Sequence, residues 1–343
     1  MKKEELLKEE IEHIDIKDID STSIIEAFEK MSFQARNLAN AASIYDKMLM
    51  DNDCTIILSI AGSLFSAGLK KVVRDLVRHD MVDVIVSTGA IMVDQDFFAA
   101  LGFKHYKGTP IIDDEMLREL MIDRIYDTFI DEEQLRTCDI TLAEIADSLE
   151  PRPYSSQEFL WEIGRYLHMK RKDNDSVVLE CYRKNLPIFV PAFSDCSAGF
   201  GLVYHQHKRG LQPKVTIDSV KDFLDLTKIK YASKETGLVM IGGGVPKNFA
   251  QDITVAAEIL GADVGMHKYA IQITVADERD GGLSGSTLKE AHSWGKVDNI
   301  YEQMVFSEAT IAFPLIASYV YHKNNWTKRQ PKCYAKMLKE IME

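Results

Sequence analysis

A lysine that follows an indole and a glycine is the group in this chain best suited to covalent chemistry. The stretch Asp280–Lys296 reads DGGLSGSTLKEAHSWGK. Gly281, Gly282 and Gly285 allow a tight backbone that other groups can approach closely. Ser286 or Thr287 can cap a short helix with Lys289 and Glu290 in its first turn. Ser293-Trp294-Gly295-Lys296 closes the stretch. A lysine desolvated beside an aromatic ring and near a carboxylate can lose its proton and attack a carbonyl or imine carbon. A lone lysine after a turn is ordinarily a surface group, so the reading depends on what surrounds it.

The surrounding elements must hold that lysine in place. Cys54–Ile60 is an apolar, isoleucine-rich run suited to a strand buried on both faces. It leads through Ala61–Gly68 into a helix over Leu69–His79. A second buried strand, Val82–Val86, leads into Ser87-Thr88-Gly89-Ala90. Further strands are expected at Ile188–Val190, Leu238–Ile241 and Tyr269–Val275, each running into small or polar residues. Helices are expected at Ile24–Met50, Ser156–Arg171, from Val177, at Asp218–Ile229, Phe249–Leu260 and Thr310–Tyr321. This alternation predicts α/β architecture: one large domain with a parallel sheet flanked by helices and ligand groups at the strands' C-terminal ends. The strict G-x-G-x-x-G fingerprint is absent.

Residues 1–20 are charged and helix-prone, with Leu6, Leu7, Ile11 and Ile14 at helical spacing. They are expected to form a helical extension ahead of the domain at 21–343. Residues 104–150 are acidic and less periodic, as expected of a lid-like helical excursion with a solvated face. His205 and His207 alternate as on a strand, but two histidines without further ligands point to surface residues and to no metal. Cys196 is expected to be a small buried thiol.

The 343 residues carry a net charge of −12, with 46% hydrophobic and 27% charged residues. The acidic balance and the lack of basic clusters with interleaved aromatics argue against nucleic acid, and suit cationic ligands. No apolar run approaches the ~20 residues that span a bilayer. MKKEELLKEE lacks the apolar core of a secretory signal, and the five scattered cysteines suit reduced thiols. A cytoplasmic location is expected.

The lysine stretch resembles the catalytic segment of the deoxyhypusine synthase family, whose E-A-x-S-W-G-K signature is matched by Glu290-Ala291-His292-Ser293-Trp294-Gly295-Lys296. Three further motifs follow family order over roughly residues 30 to 325. They are Met81–Gly89, Pro191-Ala192-Phe193-Ser194-Asp195, and Gly242-Gly243-Gly244-Val245-Pro246-Lys247. The resemblance implies a Rossmann-like, NAD-binding domain in a homotetramer, and an aminobutyl transferase acting on a polyamine such as spermidine. It makes Lys296 the imine-forming nucleophile, Trp294 a wall along the amine's methylene chain, and Glu290 an acid near its cationic end. Cofactor contacts are implied at Ser63, Ser66, Thr88, Gly89, Asp94, Asp195, Ala276, Asp280, Glu308 and Ala309. Substrate contacts are implied at Gly243, Asn248, Gly281, Gly282, Leu283, Ser293 and Gly295.

The chain departs from the family pattern at three positions. Phe200 and Leu283 stand where acids are expected, and Asn248 stands where a histidine is expected. A buried ammonium needs acids or hydrogen bonds, so these changes should alter which amine is accepted. The acceptor implied by the family is a lysine of a translation factor. A homospermidine-synthase-like activity with a small diamine acceptor is the alternative, and a silent NAD- or polyamine-binding homologue the third reading.

Overall fold

Six strands decide the architecture, and their burial explains why they are so apolar. β1 (Cys54–Ile60), β2 (Val84–Ser87), β3 (Ile188–Phe189), β4 (Glu235–Ile241), β5 (His267–Thr274) and β6 (Val297–Phe306) form one sheet. The spatial order is β6-β5-β4-β1-β2-β3, and every pairing is parallel. β1 lies at the centre, with all seven residues buried. The order reverses between β1 and β4, which is the doubly wound arrangement with its switch point between those two strands. The computed structural model describes residues 2–170 and 175–340.

Two apolar layers cover the faces of the sheet. Helices Phe33–Met50, Lys70–Arg78 and Ala309–His322 pack on one face, while Ser219–Ala232, Gly244–Ile259 and Tyr334–Glu340 pack on the other. The expected single α/β domain with a parallel sheet is therefore present. Elements the sequence reading left out are β6 and the helix Tyr334–Glu340. β6 is mostly half-exposed, with Glu302 and Gln303 interrupting the apolar pattern that marks the buried strands.

Three further expectations need correction. Residues 1–20 are helical only at Lys3–Leu6. Beyond it the backbone runs extended, with Lys107 N donating to Glu9 O at 2.7 Å, Ile11 N to His105 O at 2.9 Å and Ile14 N to Gly68 O at 3.1 Å. Tertiary pairing overrode local helical spacing. The region 104–150 holds helices Asp114–Glu119 and Glu132–Ser148, but also an antiparallel sheet of His105–Lys107, Ile122–Ile125 and Thr128–Asp131. His205 and His207 lie on the helix Ser197–Arg209, not on a strand. His205 is fully buried, with Nδ1 2.8 Å from Asp147 Oδ1 and Nε2 accepting from Val215 N at 3.1 Å.

Candidate functional site

The glycine-rich ends of the central strands open a crevice of about 400 Å³ at the switch point. It is lined by Gly62 after β1, Gly242–Gly244 after β4, Thr274–Ala276 around the end of β5, and Ser307–Ala309 after β6. Small residues let backbone approach a ligand, and this position is where doubly wound sheets hold nucleotides. Gly243 is required by close approach, because a Cβ there would lie 2.4 Å from Ser284 Cα. Glu308 caps the following helix, its Oε2 accepting from Thr310 N at 2.8 Å and from Thr310 Oγ1, and the residue lines this crevice. A carboxylate at this rim can accept from ribose hydroxyls. The residues present thus fit a dinucleotide.

A second cleft, of about 520 Å³, lies beside the first. The loop Gly281–Ser286 separates the two: Ser284 lines the crevice, while Gly281, Gly282, Leu283 and Ser286 line the cleft. Three side chains, Gln272, Thr274 and Lys247, hold this loop. Gln272 Nε2 donates to Gly242 O at 2.9 Å and to Ser284 O at 3.0 Å, and Thr274 Oγ1 donates to Ser284 O at 3.3 Å. Lys247 Nζ, on a residue only 1% exposed, donates to Ser286 Oγ at 2.9 Å and to Ser286 O. Burial lowers the Lys247 ammonium to about 8; Glu290 opposes that shift and Lys296 adds to it.

The local fold then explains the Ser-Trp-Gly-Lys sequence. Thr287 Oγ1 accepts from Glu290 N at 3.1 Å and caps the short helix Leu288–Ser293. That helix ends in a Schellman turn. Gly295 N donates to His292 O at 3.0 Å and Lys296 N to Ala291 O at 3.1 Å, with Gly295 at φ +70°. Glycine is the residue that takes this conformation without strain, so Gly295 reverses the chain and sets Lys296 at the mouth of β6. Ser293 Oγ donates to Glu290 O at 2.7 Å, a structural role within the same turn.

Lys296 turns its ammonium into the cleft. Its Nζ stands 2.6 Å from Asp252 Oδ1, donates to Asn248 Oδ1 at 3.2 Å, and lies 5.3 Å from the Trp294 ring centroid. The side chain is 13% exposed, whereas Trp294 is 64% exposed. The helix Gly244–Ile259 therefore supplies the enclosure more than the indole does. Nothing local in the sequence marks Asp252, which is 44 positions from Lys296, and the helix that carries it begins earlier than the expected Phe249. It starts at Gly244, which puts Asn248 and Asp252 one turn apart on a single face. Asn248 Nδ2 donates to Asp252 Oδ2 at 2.7 Å, closing a three-membered ring of contacts with the lysine.

Of the residues proposed from sequence, Lys296, Trp294, Glu290, Asn248, Gly281, Gly282 and Leu283 meet in the cleft. Gly243, Ala276, Glu308 and Ala309 meet in the crevice. Others line neither cavity. Ser66 is buried and donates to Ser63 O at 2.7 Å. Thr88 Oγ1 accepts from Ile91 N at 3.4 Å, and a Cβ on Gly89 would collide with Cys196 Sγ. Asp94 accepts from Ser197 N at 2.8 Å at the start of a helix, and burial raises its carboxyl to about 7. Asp195 is exposed nearby, and Asp280 accepts from Gly282 N at 2.6 Å to shape the loop. Cys196 is buried and its thiol is pushed up to about 12, which makes it a poor nucleophile.

Fold and site together define an α/β protein that sets a lysine cleft against a doubly wound nucleotide-type crevice. The model of the deoxyhypusine synthase family matches residues 23–320. The chain belongs to that family. It is 62% identical over 339 residues to the "Deoxyhypusine synthase-like protein" of Chlorobaculum parvum, covering 98% of this chain and 97% of that one. It is 59% identical to the protein of the same name from Elusimicrobium minutum, covering 96% and 88%. It is 41% identical to "Probable deoxyhypusine synthase 2" of Methanosarcina acetivorans, covering 92% and 91%. Its fold is similar to the crystal structure described as a "putative deoxyhypusine synthase from Entamoeba histolytica", with TM-score 0.64 and 21% identity over 93% of this chain and 99% of that one. No helix among the described residues is long and apolar enough to cross a membrane.

Proposed function

We propose that this chain is an NAD-dependent transferase that moves an aminobutyl group from a spermidine-like polyamine through an imine on Lys296. The observation that carries the reading is the placement of Lys296 Nζ against Asp252 in a cleft that shares its loop with the crevice. When bound, the nicotinamide would take a hydride from the amine-bearing carbon and later return it. Ala276, Glu308, Ala309 and the backbone around Gly243 would hold that cofactor. Neutral Lys296 attacks the imine carbon, its new C–N bond replacing the bond to the smaller amine, which departs. An acceptor amine then takes the aminobutyl group. Trp294 offers a face to methylene groups, and Glu290 offers a carboxylate to an ammonium.

A second reading, a homospermidine-synthase-like enzyme with a small diamine as acceptor, draws support from the cleft lining. Leu283 and Asn248 stand in the cleft itself, where an acid and a histidine were expected. A translation-factor lysine is the acceptor on the first reading. The intact Ser293-Trp294-Gly295-Lys296 run argues against a silent homologue, and the three changed polar positions argue for one. The family likeness also supports a cytoplasmic homotetramer, and the exposed Val275, Ile300 and Ile311 leave apolar surface for subunit contact. The test is incubation with NAD and spermidine, putrescine or agmatine in turn, then borohydride and peptide mass mapping. An aminobutyl adduct on Lys296 is expected with at least one amine. Turnover without a Lys296 adduct would overturn the mechanism.

A further inference from the structure

The two carboxylates of the lysine cleft are held in different ways. Glu290 is exposed, and its carboxylate makes no hydrogen bond or ion pair among the described residues. Asp252 is half-buried and committed, with one oxygen 2.6 Å from Lys296 Nζ and the other accepting from Asn248 at 2.7 Å. The charged groups around Lys296 are Asp252 and Lys247 from the helix Gly244–Ile259 and Glu290 from the helix Leu288–Ser293. The helix Ser219–Ala232 adds only Phe223 to the cleft. Asp252 thus pairs with the lysine as an ammonium, a form that cannot attack carbon.

A cationic amine entering this cleft needs a desolvated carboxylate, and Asp252 is the one beside the reacting atom. We propose that Asp252 is an exchangeable counter-ion that Lys296 surrenders to the incoming substrate ammonium, so that substrate binding itself releases the lysine for attack. Once Asp252 pairs with the substrate, a second positive charge stands beside Lys296, and its proton leaves through the open cleft to water. The freed lone pair forms the bond to the imine carbon, the C–N bond to the smaller amine breaks, and that amine departs with a proton from water. This inference rests on the Lys296 imine reading and makes Asp252 a catalytic residue that contacts the reacting nitrogen.

The distinguishing consequence is a pair of effects of opposite sign. Removing the Asp252 charge frees the lysine but leaves the amine without its partner. An uncharged aldehyde probe should then react faster while the cationic donor reacts more slowly. The experiment treats the full chain, as wild type, Asp252→Asn, Asp252→Glu and Lys296→Ala, with butanal and cyanoborohydride from pH 6 to 9. Peptide mapping follows butylation at residue 296, and this readout needs neither NAD nor a polyamine. Wild type should be labelled at Lys296, Asp252→Asn about tenfold faster or more at pH 7, and Asp252→Glu at close to the wild-type rate. In parallel, the spermidine-dependent adduct formed with NAD should fall in Asp252→Asn. Labelling of Asp252→Asn at the wild-type rate or slower, with unchanged circular dichroism, overturns the hand-off while leaving Lys296 as nucleophile. Absence of labelling at residue 296 in wild type and in Asp252→Asn alike, up to pH 9, sinks the Lys296 reading and this inference with it. Asp252→Ser, which removes the charge with a different shape, gives the same reading if the asparagine variant unfolds.

Discussion

The crevice and the cleft lie side by side, yet they are built from different material. The crevice is walled mainly by backbone: Gly62, Gly242, Gly243, Gly244 and Ala276 at the ends of parallel strands. The cleft is walled by side chains from one helix face, one short helix and a loop. A backbone wall is set by topology and tolerates almost no added atoms. A side-chain wall keeps its shape under isosteric change and responds to charge. The crevice should therefore fail through sterics and the cleft through electrostatics.

The largest effect is expected in the cleft. Lys296→Ala should cut turnover by about 10³-fold or more, the scale seen when a covalent nucleophile is removed. Because no core contact depends on its ammonium, thermal unfolding should stay within a few degrees of wild type. Residual turnover near the wild-type rate would remove the lysine from the mechanism. Next comes the crevice wall: Gly243→Val places side-chain atoms against Ser284, whose Cα a mere Cβ would already meet at 2.4 Å. NAD affinity should fall by about tenfold or more, since a misplaced loop forfeits well-oriented contacts, and titration by fluorescence would measure it. Butanal labelling of Lys296 should change as well, because the same loop borders both cavities. Labelling unaffected by a valine that abolishes NAD binding would show that the two sites are mechanically separate.

A smaller effect should come from Glu308→Gln at the rim of the crevice. Weakening one carboxylate–hydroxyl contact costs about 1 kcal/mol, or roughly fivefold in dinucleotide affinity. The amide still caps its helix, so calorimetry of the ligand should move more than thermal stability does. The smallest effect concerns a residue that lines neither cavity. Burial raises Asp94 to about 7 from an ordinary 3.8, so the folded chain binds a proton there that the unfolded chain has released. Its contribution to stability is fully present below pH 4 and is lost as pH rises through 7. Asp94→Asn should flatten the dependence of unfolding temperature on pH between 4 and 7 and leave Lys296 labelling unchanged. An unaltered slope would place the carboxylate in a wetter setting.

The buried strands and the lysine stretch were legible because each is written locally. β1 is a continuous apolar run, which is how a strand covered on both faces reads, and Gly295 before Lys296 marks a helix end with a left-handed turn. The half-exposed β6 carried no such signature. The extended course of residues 7–20 was hidden behind helical spacing, since its pairing partners, Gly68, His105 and Lys107, lie far along the chain. Asp94 and Ser66 follow strand ends that read as nucleotide contacts, but both lie in helical segments and their hydrogen bonds go to Ser197 and Ser63.

By itself, the sequence determined the α/β class, the family and the local fold of the lysine segment, because apolar periodicity, glycine at a required turn and a seven-residue signature all depend on neighbours a few positions away. Only the tertiary structure decided the strand order, with its crevice between β1 and β4, and the partner of the lysine. Asp252 is 44 residues from Lys296 in the chain and meets it only because the helix Gly244–Ile259 packs back along the sheet. Contacts of that kind follow from how whole elements bury their apolar faces, and no local pattern encodes them.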